Sequence, residues 1–124
     1  MPYKIEIYEE EIIWIRFYGK SDFEESIRAR EDMLNLHNST GISKILADWQ
    51  NAEVTPNVST LDLYEFGSTW PKSKSSSPFR IAIVQTNDTE SQERITFSEI
   101  VAKNRGLISR VFNELSEAQK WLKC

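Results

Sequence analysis

The chain reads as one α/β domain spanning residues 1–124, a five-stranded, mixed but mostly parallel sheet packed against four helices in the order ββαβαβαβα. Three observations predict it. Two apolar, period-two segments open the chain, separated only by Glu9-Glu10-Glu11, and a connection that short joins antiparallel neighbours. Each later strand-like run is followed by a segment of helical period, the signature of parallel strands with right-handed crossovers. The chain closes with a helix end at Asn104-Arg105, a glycine stop at Gly106, a short apolar run at residues 108–112 and an amphipathic helix through Glu117-Ala118-Gln119-Lys120-Trp121-Leu122. That is the last βα unit of a layered domain.

Residues 3–8 alternate, with Tyr3, Ile5 and Ile7 on one face. Residues 12–18 form the second strand, with Ile13, Ile15 and Phe17 on one face and Ile12 and Trp14 on the other, so it is central. Gly19 ends it. Ser21 or Asp22 caps a helix to about His37, whose stripe is Phe23, Ile27 and Leu34 with Met33 at its edge. Arg30 and His37 share that side, where a basic residue snorkels or meets a carboxylate. Gly41 stops the helix, residues 44–49 read as a buried strand, and a loop follows over 50–58.

Ser59 or Thr60 caps a second helix that ends near Trp70-Pro71, because proline disfavours helix in the residue before it. Leu63, Phe66 and Trp70 form one stripe while Leu61 and Tyr64 point elsewhere, more apolar surface than one buried face absorbs. Residues 72–78 are a serine-rich loop, and residues 79–86 a strand apolar on both faces. Asp88 or Thr89 opens a third helix through Asn104, with Phe97, Ile100 and Val101 inward and Gly106 at its C′ position. Asn113 caps the last helix, whose stripe is Leu115, Ala118, Trp121 and Leu122.

Composition narrows the function. A hydrophobic share of 40% and a charged share of 27% are those of a globular protein. A net charge of −4 with no basic stripe argues against nucleic acid and acidic membranes as partners. No segment has the length of a membrane span, so no stable membrane insertion is expected. The opening Met1-Pro2-Tyr3-Lys4 lacks the apolar run of a signal peptide, which points to the cytoplasm. The single cysteine, Cys124, builds neither a disulfide nor a thiolate-rich zinc site.

The element order resembles the STAS-like domains, the family of the anti-sigma-factor antagonists (SpoIIAA-like). The close, Asn104-Arg105-Gly106, Arg110-Val111-Phe112 and Glu117-Ala118-Gln119-Lys120-Trp121-Leu122, is similar to that of a broad group of small bacterial STAS-like proteins. These are fold motifs, a helix stop and a packing stripe. In signalling members a strand ends in aspartate and a following Asp-Ser-x-Gly sets a phosphorylatable serine at a helix N-terminus, where backbone N–H groups favour the added charge. Asp48 matches the strand-end aspartate. Thr55-Pro56-Asn57-Val58-Ser59-Thr60 departs from the phospho-motif, with no aspartate before the serine and no glycine after it, and Ser59 reads as a helix cap.

No catalytic apparatus is visible. One histidine and one terminal cysteine support neither a serine triad nor a cysteine dyad, no glycine-rich phosphate loop exists, and no cofactor is expected. Ligands of open α/β sheets sit beyond the carboxyl ends of the strands. There the chain offers Gly19, Lys20, Asp48, Trp49, Gln50, Gln85, Thr86 and Asn87, an amide-rich rim suited to hydrogen bonding and poor at proton transfer. The expectation is a non-enzymatic module that binds a protein partner and forms a homodimer, with Ser59, Leu61, Tyr64, Phe66 and Trp70 at its contact face. The alternative follows from a partial likeness of this fold group to CRAL-TRIO lipid-binding domains: the same residues, with Trp14, Tyr18 and Trp49, would line a cavity for a small apolar ligand.

Overall fold

A computed structural model describes residues 3–54, 61, 64–65, 78–85, 89–104 and 108–123. The strands are β1 (Tyr3–Tyr8), β2 (Ile12–Ser21), β3 (Lys44–Val54), β4 (Arg80–Val84) and β5 (Ile108–Phe112). The helices are α1 (Phe23–Thr40), α2 (Thr89–Asn104) and α3 (Leu115–Lys123), and Leu61, Tyr64 and Glu65 between β3 and β4 are also helical. The sheet runs β1-β2-β3-β4-β5 in space, with β1 antiparallel to β2 and every other pair parallel. Sequence order and spatial order coincide because a hairpin opens the chain and each later strand is laid beside the one before.

Alternation divides the core between the two faces. Tyr3, Ile13, Ile15, Phe17, Ile45 and Ile81 meet Ala29 and Met33 of α1 on one face. Ile12, Leu46, Ala82, Val84 and Phe112 meet Ala118 and Leu122 of α3 on the other. β2 and β3 bury apolar side chains on both faces, Ile13 and Ile45 on one, Ile12 and Leu46 on the other.

The α1 helix starts where Asp22 accepts the Glu25 amide (2.9 Å) and stops where Gly41 turns left-handed at φ 79°, its N–H donating to the His37 carbonyl (2.8 Å). It outlasts the expected end at His37 and runs to Thr40. Its buried stripe also differs from the expected one. Ala29, Met33 and His37, each four residues on, face the sheet, while Ile27, Arg30 and Leu34 are half-buried. The small Ala29 lets the helix approach the strands, and this rotates the stripe away from Ile27. His37 is buried rather than snorkelling: Nδ1 donates to the Ile42 carbonyl (2.8 Å), and the ring packs on Phe79 at 4.6 Å. In α2, Ile95 and Val101 are buried and Phe97 half-buried, but Ile100, expected inward, is exposed. β4 is shorter than expected, and α3 begins at Leu115, one residue past the place an Asn113 cap would give. The expected stop at Gly106 lies outside the described residues.

The central strands depart most from expectation. β2 passes Gly19 to Ser21, and β3 passes Trp49 to Val54, so residues 50–54 are strand rather than loop. Pairing runs from Arg16↔Asp48 to Tyr18↔Asn51, so Trp49 and Gln50 together oppose Phe17. This is a bulge, and it reverses the phase of β3. Beyond it Ala52 joins Trp49 on the α1 face.

Two features of β1 generate predictions. In the hairpin loop, Glu9 (φ 50°) and Glu10 (φ 64°) are left-handed, which costs a side-chain-bearing residue roughly 1–2 kcal/mol. Glu9 is held in an ion pair by Lys123 at the end of α3, whereas Glu10 is exposed. Glu10→Gly removes the strain at the cost of a more flexible unfolded chain, and urea unfolding should show a gain of about 0.5–1 kcal/mol with an unchanged m-value. Tyr3 ties β1 to α1: its hydroxyl donates to Asp32 (2.7 Å), and this bond, with burial, pushes the phenol from 10.0 up to about 12. Between those values the folded chain keeps a proton that the unfolded chain loses, so the contribution is complete below pH 10 and is lost as pH rises toward 12. Unfolding measured at stepped pH should show this fall in the wild type, and Tyr3→Phe should remove that share of it.

Candidate functional site

The bulge sits at the carboxyl end of the paired sheet, where Asp48 is the last β3 residue with a β4 partner, Val84. On the α3 face Asp48 is 6% exposed. Its Oδ1 accepts the Gln50 amide (3.0 Å), a group the bulge releases from the ladder, and its Oδ2 accepts Nε1 of Trp14 on β2 (3.3 Å). A buried carboxylate is tolerated when donors reach both oxygens, and here they do.

Trp14 carries the arrangement outward. The Arg16 guanidinium lies 3.8 Å from the centroid of its ring, and Tyr8 meets that ring edge-on at 5.3 Å. Arg16 Nη2 then lies 2.8 Å from Glu6 Oε1 on β1. A polar row thus crosses β3, β2 and β1 on one face: Asp48, Trp14 with Arg16, Glu6. Arg16 and Glu6 are each about a third exposed at their side chains, so their pairing is screened and adds little stability. The buried Asp48 contacts add more. Glu6 and Arg16 do not stand out in the sequence, although a three-residue hairpin loop with Tyr8 opposite Ile12 sets Glu6 opposite Trp14 and beside Arg16.

The expected rim divides. Trp49 points to the face opposite Asp48 and stacks on Phe17 at 3.9 Å and 10°. Gln85 is half-buried, its backbone N–H donating to the Phe112 carbonyl (2.9 Å), and Gly19 and Lys20 are exposed within β2. The aromatic groups expected to line a cavity are partnered on the sheet: Trp14 by Arg16 and Tyr8, Trp49 by Phe17. Tyr18 is 38% exposed. Leu61 and Tyr64, each on helical backbone, are 64% and 44% exposed. Ser59, Phe66, Trp70 and Asn87 lie outside the described residues. Among the described residues no three His, Cys, Asp or Glu side chains converge as a metal site, and no helix is long and apolar enough to cross a membrane.

No protein-family model matches the sequence, and no curated protein matches it. Among solved structures the chain is similar to an uncharacterized protein of the DUF3478 family with a SpoIIAA-like fold from Shewanella loihica PV-4. The TM-score is 0.54 at 20% identity, over 97% of this chain and 91% of that one. At that identity the likeness shows the fold, which is SpoIIAA-like, as the element order implied.

The geometry makes Asp48 the residue that fixes the bulge. Asp48→Ala strands the Gln50 amide and the Trp14 indole N–H, and should lower stability by about 2–4 kcal/mol, since a buried donor left unsatisfied costs roughly 1–3 kcal/mol. Asp48→Asn keeps an acceptor and should lose clearly less. Chemical denaturation of both variants measures the difference.

Proposed function

We propose that this SpoIIAA-like domain is a non-enzymatic interaction module that works by binding protein partners, a second copy of itself among them. The observation that carries this reading is the exposure of Leu61 and Tyr64, three residues apart in the sequence and each on helical backbone. Scattered single apolar residues on a surface need no explanation, but exposed ones this close in sequence on helical backbone suit docking. The polar row supports the same reading. Asp48, its one well-buried carboxylate, has both oxygens engaged by the protein, which suits a framework better than proton transfer.

A side chain retained for docking differs from a core side chain in what its loss does. Leu61→Glu should leave stability within about 0.5 kcal/mol of wild type, as at other exposed positions. Used as bait in extracts of its own cell, the wild-type domain should retain a partner protein that the Leu61→Glu domain does not. Equal capture by both baits, or a loss of several kcal/mol on substitution, would place Leu61 in the fold rather than at an interface.

A further inference from the structure

β1 is an edge of the sheet, six residues long, and pairs with β2 without interruption from Tyr3↔Phe17 to Tyr8↔Ile12. Edges are ordinarily blunted by a bulge, a proline or an inward charge, because their open backbone groups accept another strand. Residues 3–8 contain neither a bulge nor a proline, and their charges are Lys4, which is exposed, and Glu6, which lies half-buried against Arg16. The side chains alternate. Tyr3 and Ile5 pack toward α1 and Ile7 beyond them is 43% exposed, while Lys4 and Glu6 lie on the α3 face. Lys4 has no partner among the described residues and stands directly across from Arg16, a like charge in a cross-strand position where opposite charge is favoured.

We propose that β1 is the interface between two copies of this chain, paired antiparallel about a two-fold axis at Ile5. An axis normal to the sheet keeps each side chain on its own face, so the register must centre on a residue. Centred on Ile5, Lys4 faces the partner's Glu6, Glu6 faces the partner's Lys4, and Tyr3 faces the partner's Ile7. Centred on Lys4, two ammonium groups meet at the axis; centred on Glu6, two carboxylates do. Centres at Tyr3 or Ile7 shorten the paired segment. The charge pattern of this one strand therefore selects one register. That register gives Lys4 the counter-charge it lacks within its own chain and covers the exposed Ile7.

The inference rests on the self-association proposed above and assigns it a surface separate from Leu61. Sedimentation velocity of the full chain across the micromolar range tests it. The wild type should dimerise. Lys4→Glu and Glu6→Lys should each weaken the dimer at least tenfold, about 1.4 kcal/mol. An equimolar mixture of the two variants, whose edges are complementary, should restore association, as should the Lys4→Glu/Glu6→Lys double swap. Melting curves establish that each variant is folded; if Glu6→Lys, which removes the Arg16 contact, is not, Lys4→Glu and the double swap decide alone. A strictly monomeric wild type overturns both the self-association and its surface. A dimer indifferent to the charge reversals, or one dissociated by Leu61→Glu, overturns the β1 interface and leaves self-association standing. Weakened variants that mixing and double swap do not restore overturn the register.

Discussion

The change of phase in β3 is the constraint around which the other features arrange themselves. Trp49 and Gln50 share one position of the β2 ladder, and the Gln50 amide that loses its strand partner is taken by the Asp48 carboxylate. Without an acceptor at that place, a half-buried backbone N–H would lose its partner, which favours a return toward regular pairing. Regular pairing would turn Ala52 away from the α1 face. The same carboxylate orients Trp14, on whose ring Arg16 lies, and Arg16 reaches Glu6. One side chain thus links the phase of a central strand to the decoration of the edge strand two places away.

Much of the fold is legible in the sequence wherever local chemistry and long-range packing agree. β1 and β5 fall at the residues their alternation and glycine boundaries indicate, and Asp22 and Gly41 bracket α1 as cap and left-handed stop. The extensions of β2 and β3 are not legible. Gly19 resembles a terminator, and Asp48-Trp49-Gln50 breaks the alternation because the bulge moves every later residue to the other face. A break in period looks the same in a sequence whether the strand ends or slips, and only the neighbouring strand separates the two. The stripe of α1 misleads in another way: Ala29, Met33 and His37 are its buried residues, while the more hydrophobic Ile27 is only half-buried.

The candidate site divides along the same line. Gln85 follows the end of β4 as strand order implies, but Asp48 and Trp49, expected at a strand end, lie in the middle of β3, at the point where its pairing with β4 stops. That Asp48 and Trp49 point to opposite faces follows from their adjacency, and it separates a polar row from an aromatic stack. The exposure of Leu61 and Tyr64 is legible because it is a matter of counting: one helix carries more apolar residues than one face can bury. Glu6 and Arg16 become a pair only once the hairpin register is fixed, so no inspection of either strand by itself finds them.

The polar row and the open edge are parts of one electrostatic arrangement. Within a single chain the β1–β2 ladder sets Lys4 against Arg16, and Glu6 reaches the arginine rather than the lysine. The arginine is held by its stack on Trp14, a contact that a compact ammonium on a flexible stem would make less well. The one negative side chain of β1, Glu6, therefore lies against Arg16, and the positive charge left over, Lys4, stands at the sheet's outer margin. Two such margins related by a two-fold axis each present an outward lysine and the flank of a glutamate two residues further along. The row anchored at Asp48 would then continue across the axis as alternating charge. A fold that fixes Arg16 through Trp14 and Asp48 thereby fixes which charges remain at its edge, and the edge pattern becomes a consequence of how the central strand was made to change phase.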